Sequence, residues 1–594
     1  MPQLDLAVSA NRLAPTHPRQ PRTFAALCGL VMALAPAVSL AQQPFVVDVV
    51  PVRSPNVSPA PPSQPITAPR QPIKPARTRN RPNRGGGSVI VDTISPGSKL
   101  PRPSVNPAPL PQPSFPSQPS LPPQPNRPPQ PGISLPQGAI GHQREFRGIW
   151  VASVSNIDWP SRQGLSAAQQ QAEFVRLLDQ MQALNLNALI LQVRPAGDAL
   201  YASPYEPWSS WLTGTQGQSP GYDPLEFAIR ESRKRNIEVH AWFNPYRARV
   251  SPNEALAANH VSQRYPQYTY RYGNQLWLDP GAKAVQDWTY NVILDVVNRY
   301  DIDGVHLDDY FYPYPQSGVS FPDSPTYTAY KQAGGSLSLA DWRRDNVNQL
   351  VQRLATGIRG TKPHVKFGIS PFGIYRPGQP AGIQGLDQYN ALYADPKLWL
   401  QRGWVDYLAP QLYWRIDPPQ QSYARLLDWW SQQNSLGRHI YAGNYLSQLD
   451  GKNWTKTEFE RQVALSRQKA AQNSLGNIFF SAKVLRDNRL GINETFKTSL
   501  YTSPVLPPPM PWLDNTPPAP PTGVQARSGQ MTWNPGTGDV RSWTLYRQQG
   551  PTWQLVRIFN ASTTSTPVPP GTYALQAVDR LANESAAIVV TVPN

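Results

Sequence analysis

Cysteine is all but missing from this 594-residue chain. The only one, Cys28, falls in a stretch expected to be removed. The mature chain would carry no thiol, which excludes disulfides, thiolate metal sites and cysteine nucleophiles. Histidine is scarce too. There are seven, with no HxH or HExxH spacing, so no zinc site and no other cofactor is expected. Acids number 38 against 55 Lys and Arg, leaving a formal net charge of +17. Despite that charge, an exported chain with no recognition motif is a poor partner for nucleic acid. Long apolar runs are missing after residue 41, so no later segment is expected to span a bilayer.

What is abundant is proline, 69 residues, and it is unevenly placed. Residues 1–41 read as a secretory signal. Arg12, Arg19 and Arg22 form a basic lead, Phe24–Val38 an apolar core, and Ser39-Leu40-Ala41 a small-residue cleavage site. Export across the inner membrane to the periplasm or cell envelope follows from that reading. Residues 42–140 hold 27 prolines and ten Lys or Arg against Asp48 and Asp92 alone, and so carry +8 of the net charge. Such a stretch cannot build a core. It is expected to be an extended basic linker, suited to an anionic envelope polymer or membrane surface, or simply a spacer. Residues 504–521 (PVLPPPMPWLDNTPPAPP) read as a second linker, and 522–594 as a small β-sandwich of short alternating strands.

Between the linkers, residues 141–503 alternate strand-like and helix-like runs. Strands are expected at 146–154, 187–194, 237–243, 303–309, 364–370, 405–412, 438–444 and 476–483. Helices are expected at 166–184, 224–235, 283–299, 341–358, 419–434 and 457–474, with short ones near 395–402 and 486–500. Eight of each predict an α/β fold, a (β/α)₈ barrel; an open doubly wound sheet is the alternative, without a GxGxxG turn to support it.

A barrel places its active site at the C-terminal strand ends. The fourth strand runs DGVHLDDYFYP and ends in Asp308 and Asp309 beside rings. Strand alternation points the two carboxylates apart. Asp308 is therefore expected to work on the reacting bond with a partner from another loop, Glu206, Asp198 or Asp158, while Asp309 orients a loop or an arginine. One carboxyl would be a protonated acid, the other a nucleophile or base. The alternative for this acid pair is a helix cap, an ion pair or a calcium site. Gln192, Arg194, Trp208, Asn244, Arg247, Tyr310, Gln411, Tyr413 and Trp414 also follow or end strands. They would supply the rings and polar rim that a sugar needs, with His306 as a hydrogen-bonded orienter beside them.

The stretches FRGIWVASV, LILQVRPAGDALYAS, YEPWSSWLTG, GYDPLEFAI, EVHAWFNPYR, LWLDPG, YDIDGVHLDDYFYP, FGISPFGIYR and LAPQLYW resemble the glycoside-hydrolase-like family 10 barrels, which are distinct from the family 10 xylanases. The resemblance spans roughly residues 144–500. It implies a TIM-type barrel that cleaves glycans outside the cytoplasm, with relatives among envelope enzymes that cut peptidoglycan strands stripped of their peptides. DGVHLDDYF also resembles, at a distance, the chitinase-type family 18 strand DGxDxDxE. There His306 replaces an Asp, and Tyr310 stands where that family has its catalytic Glu. That departure sets aside a copied mechanism and leaves open participation by a substrate 2-acetamido group. TYALQAVDRLANES is similar to a late hairpin of fibronectin type III domains.

The reading is a monomeric exported glycoside hydrolase acting on cell-envelope polysaccharide, foremost peptidoglycan glycan. The alternatives are a non-catalytic glycan-binding scaffold and a glycosidase for another polysaccharide.

Overall fold

The computed structural model describes residues 133–251 and 255–593. The expected signal, 1–41, and most of the first proline-rich stretch lie outside the described residues.

Eight parallel strands close into a barrel: β1 (Phe146–Val151), β2 (Ala188–Arg194), β3 (Glu238–Phe243), β4 (Gly304–Leu307), β5 (Lys366–Ile369), β6 (Tyr407–Leu408), β7 (His439–Asn444) and β8 (Ser474–Phe479), which pairs back onto β1. A helix follows each: α1 (Ala167–Ala183), α2 (Pro224–Arg233), α3 (Lys283–Arg299), α4 (Leu339–Thr361), α5 (Pro396–Gln401), α6 (Tyr423–Gln432), α7 (Lys456–Gln468) and α8 (Ala482–Arg486). The helix starts obey local chemistry. Ser166 and Gln169 form a capping box, and Asp223, Ser338, Ser422 and Thr455 each accept a backbone N–H at the first turn.

Side-chain alternation divides each strand between two layers. Ile149, Val151, Leu189, Leu191, Val305, Leu307 and Ile369 join the layer beneath the helices. Phe146, Trp150, Ile190, Trp242, Tyr407, Tyr441 and Ile478 fill the barrel. The interior departs from the usual aliphatic layers. The Lys366 ammonium donates to Glu238 Oε1 at 2.5 Å, and His240 bridges Glu238 to the Tyr407 hydroxyl at 3.2 and 2.8 Å. Glycines make the room: a Cβ on Gly304 would lie 2.4 Å from His240 Nδ1, and one on Gly368 2.0 Å from the Tyr407 ring.

The structure differs from expectation in four places. Strand β6 has two residues rather than eight, because Pro410 cannot continue the ladder; Gln411 rejoins it only by isolated bridges to Phe372 and Gly443. A three-stranded antiparallel sheet (Arg247–Arg249, Gln275–Leu278, Thr269–Tyr272) is inserted between β3 and α3. Ile133–Leu135, inside the expected first linker, pairs with Ala587–Val589 as an edge strand of the C-terminal module. Part of the expected second linker is packed rather than free. Val505, Leu506 and Met510 are buried, Met510 closes the barrel interior beside Tyr441 and Ile478, and Trp512 donates to Asp406 at 2.8 Å.

The C-terminal residues form a five-stranded and a three-stranded antiparallel sheet around Met531, Trp533, Trp543, Leu545, Leu575 and Val590, the expected small sandwich architecture. The module meets the barrel through ion pairs of Arg541 with Asp303 and Arg580 with Asp301.

Candidate active site

The β4 ladder ends at Leu307, paired with Ile369, so Asp308 and Asp309 lie just past the strand. Pleat alternation no longer separates them, and the expectation that they point apart fails. The Asp309 N–H donates to Asp308 Oδ1 at 2.9 Å, and the two buried carboxyl groups interact directly enough to shift each other's titration. The Tyr314 hydroxyl donates to Asp309 Oδ2. Burial raises both carboxyls. Asp309 is pushed well above the usual carboxylate range, first by burial and then by the charge of Asp308. Asp308 is pulled back by the Asp309 N–H, Arg247 and Asn244. The dyad therefore keeps a proton to higher pH than an isolated aspartate would.

The loops around the dyad carry rings. Tyr413 stacks on Tyr445 at 4.6 Å and lies 6.3 Å from Phe480, which is 6.4 Å from Trp150. On the other side, the Arg247 guanidinium lies 5.0 Å over the Tyr310 ring, and Tyr310 meets Tyr314 edge to face at 5.9 Å. The hydroxyls of Tyr310, Tyr413 and Tyr314 are all pushed up by burial and then by the dyad's charge. Tyr310, Tyr314, Tyr413 and Tyr445 remain partly exposed. Gln411 reaches Asp308 Oδ1 at 3.3 Å. Rings beside a dyad and a few polar groups are the kind of lining a sugar site uses.

Several residues expected to act here are held elsewhere. Glu206 is tied into the scaffold: it forms a bidentate pair with Arg194 at 2.8 and 2.5 Å and accepts the Trp288 indole at 3.0 Å, and both charged side chains are fully buried. Arg194 is thereby spent on Glu206 and on the carbonyls of Asn244 and Pro245, and it contacts no cleft. Asp198 is sealed in its own loop, accepting from the Ala196 N–H and the Ser209 hydroxyl. Asp158 clamps the β1 loop to the β8 loop through Ala152 N, Ser481 Oγ and Lys483 N at 2.8, 2.7 and 2.7 Å, and burial raises it to about 6. Gln192 and Asn244 are fully buried and hydrogen-bond each other, so they support Asp308 instead of touching a ligand. His306 sits fully buried inside the barrel, hydrogen-bonded to Trp150, Ser370 and Tyr407, and burial lowers it well below its ordinary value. Trp414 packs edge-on against Phe372 at 5.6 Å as core, and Trp208 is partly buried beside Ala199 in the β2 loop. Asp308, Asp309, Arg247, Tyr310, Gln411 and Tyr413 do converge. Tyr314, one of the rings that follow the fourth strand, joins them, and so, without having been expected, do Tyr445 and Phe480. The last two follow β7 and β8 directly, and a strand-end aromatic is the signal that could have found them.

The model of the family described as glycosyl hydrolase-like 10 matches residues 145–459. The glycosyl hydrolase YngK of Bacillus subtilis (strain 168) is 41% identical over 474 residues, 75% of this chain and 92% of that one. The glycosyl hydrolase DigH of Escherichia coli (strain K12) is 40% identical over 306 residues, covering 48% and 69%. Among solved structures, the PgaB (BpsB) glycoside hydrolase domain from Bordetella bronchiseptica aligns with 60% of this chain and 99% of its own, at 13% identity and a TM-score of 0.40.

Proposed function

The chain belongs to the glycosyl hydrolase-like 10 family and is a glycoside hydrolase, and from that premise we propose that it cleaves peptidoglycan glycan strands at a 2-acetamido sugar, outside the cytoplasm. The observation that carries the reading is the Asp308–Asp309 dyad in its ring-lined cleft, while Glu206, Asp198 and Asp158 are each locked into the scaffold.

Two carboxyls that act separately on a glycosidic bond stand about 5–10 Å apart, flanking the sugar. Neighbouring residues that share a hydrogen bond cannot flank it. The dyad thus supplies one side of the reaction, and a nucleophile must come from elsewhere. A 2-acetamido group brings one, its own carbonyl oxygen. The dyad's proton passes to the glycosidic oxygen as the C1–O bond breaks, and the acetamido oxygen closes on C1. The ionised partner carboxylate accepts the acetamido N–H, which gains charge in that step. Water then opens the ring intermediate at C1 and returns its proton to the dyad. The rings of Tyr413, Tyr445 and Tyr310 would stack on apolar sugar faces. The signal-like and basic leading sequence favours a wall substrate, to which an anionic polymer would draw it.

The test incubates the full chain with intact peptidoglycan, peptide-stripped glycan, chitin oligomers and an α-glucan, with products weighed by mass spectrometry. Cleavage of a 2-acetamido glycan with gain of one water is expected. Cleavage of the α-glucan alone, or tight binding without any cleavage, would refute the reading.

A further inference from the structure

A run of amides leads from the barrel wall to the dyad, and its direction is fixed at the start. The backbone N–H groups of Ser153 and Val154 both donate to Gln192 Oε1, at 3.0 and 2.9 Å. Backbone N–H groups can only donate, so the oxygen of Gln192 must face them and its Nε2 must face away. That nitrogen lies 2.6 Å from Asn244 Oδ1, which leaves the Asn244 nitrogen turned to Asp308 Oδ2 at 3.4 Å. From the opposite wall, Gln411 Nε2 is held by the Ser370 carbonyl at 3.0 Å, which can only accept, and points the same nitrogen at Asp308 Oδ1 at 3.3 Å. With the Asp309 N–H, three N–H groups converge on Asp308. Asp309 receives a hydroxyl, from Tyr314. The register of β2 against β3 shifts between Gln192 and Arg194, an irregularity at the point where the strand delivers Gln192 to Asn244.

We infer that Gln192 is a positioning residue for the reaction: by fixing the Asn244 amide it turns an N–H, not a carbonyl, onto Asp308, so that Asp308 is the ionised member of the dyad and Asp309 carries the proton. The inference rests on the reading of the dyad as the reacting group. It assigns Asp309 as the acid toward the glycosidic oxygen and Asp308 as the acceptor of the acetamido N–H. Gln192 is fully buried and touches no substrate, so its effect passes through Asn244.

Gln192→Glu tests it in the full chain. The introduced carboxylate keeps the shape and still accepts from Ser153 and Val154. It offers Asn244 an acceptor, however, so the Asn244 amide must turn over and present its oxygen to Asp308. Asp308 then loses a donor and faces a repelling dipole, and the new negative charge acts in the same direction. The acid limb of the kcat/KM profile is expected to move up by about one pH unit, with KM nearly unchanged. Side-chain carboxyl NMR of protein labelled with carbon-13 at aspartate Cγ, assigned through Asp308→Asn and Asp309→Asn, should show the same upward shift of the Asp308 midpoint. In the parent protein it should show Asp309 protonated where Asp308 is ionised. An unmoved limb and an unmoved midpoint in a folded variant would overturn the inference. So would a proton on Asp308 in the parent protein. If Gln192→Glu does not fold, Gln192→Met replaces it, with an expected loss of at least about tenfold in kcat at little change in KM; unchanged kcat would overturn the inference. The NMR arm needs no substrate. A protein that cleaves nothing yet carries its proton on Asp309 would sink the functional reading and leave standing only the placement of the proton that Gln192 fixes.

Discussion

Asp308 and Asp309 show what one residue of strand length decides. Had β4 continued for two more residues, the pleat would have sent the carboxylates to opposite faces. The ladder stops at Leu307 instead, and the pair closes on itself. Glu206 illustrates the converse. By sequence it is as good a partner for Asp308 as any, an acid in a tryptophan-rich loop. Its pairing with Arg194, the last residue of β2, depends on how the loop after that strand folds back onto the strand end, and no local pattern records that. The two roles separate on mutation. Glu206→Gln removes one charge of a fully buried pair and strands Arg194, so stability should fall by about 3–5 kcal/mol. The folded enzyme should keep kcat within a few-fold. Chemical denaturation and initial rates on the same preparation read both. A loss of kcat of a hundredfold with stability intact would return Glu206 to the catalytic groups.

At the scale of elements, the sequence is most legible where the chemistry is local. The helix start at Ser166 is visible as a capping residue, and the structure begins a helix there; the helices that begin at Leu339 and Tyr423, behind the caps Ser338 and Ser422, start away from the expected 341 and 419. The eight barrel strands are visible as apolar runs. The inserted sheet over 247–278 is not, because its strands are three or four residues long and rich in Arg and Tyr. The segment after residue 503 departs from expectation for the opposite reason. Its prolines signal a linker, but Val505, Leu506, Met510 and Trp512 between them are anchors. The expected consequence is that Met510→Ala, which empties a fully buried site at the barrel floor, costs about 2–5 kcal/mol. The measurement is the shift of the denaturant midpoint at constant slope. A cost below about 0.5 kcal/mol would mean the segment is the solvated spacer its composition suggests.

The described residues form a barrel with a small sandwich packed against it. The sandwich borrows its edge strand from residues that precede the barrel, so the two ends of the described chain meet in one sheet. Its stability should depend on pH in a way set by buried acids on both sides of their ordinary range. Burial raises Asp158 and Asp279 to about 6. In the unfolded chain they release protons near pH 4, so between those values the folded state holds protons that the unfolded state does not, and stability rises as pH falls from 7 toward 4. Glu238 works the other way. Burial, the largest single effect, would raise it, but the Lys366 charge and the hydrogen bonds from His240 and Lys366 together outweigh that and hold it at about 2. Its contribution is present above its ordinary value and fades as pH falls toward 2. His142 and His439, which burial holds at about 3, pull the opposite way below pH 6.5. The acids are therefore read by difference: the Tm of the parent protein should rise relative to that of Asp158→Asn as pH falls from 7 to 4, and a difference independent of pH would contradict the burial assigned to Asp158. At this same scale, length, composition and strand count are enough to place a barrel between two flanks and a sandwich after it, and the cleft's aromatic character is visible from strand ends alone. Which acids do chemistry and which hold loops is a question of three-dimensional partners. The most direct measurement of the central claim is turnover of one peptide-stripped glycan preparation by the full chain, before and after chemical removal of its N-acetyl groups. If the dyad works with the substrate's own acetamido oxygen, the deacetylated strand should be cut at least about a hundredfold more slowly. Equal rates on both would contradict the account, because a second carboxylate of the enzyme would then be doing what has been assigned to the sugar.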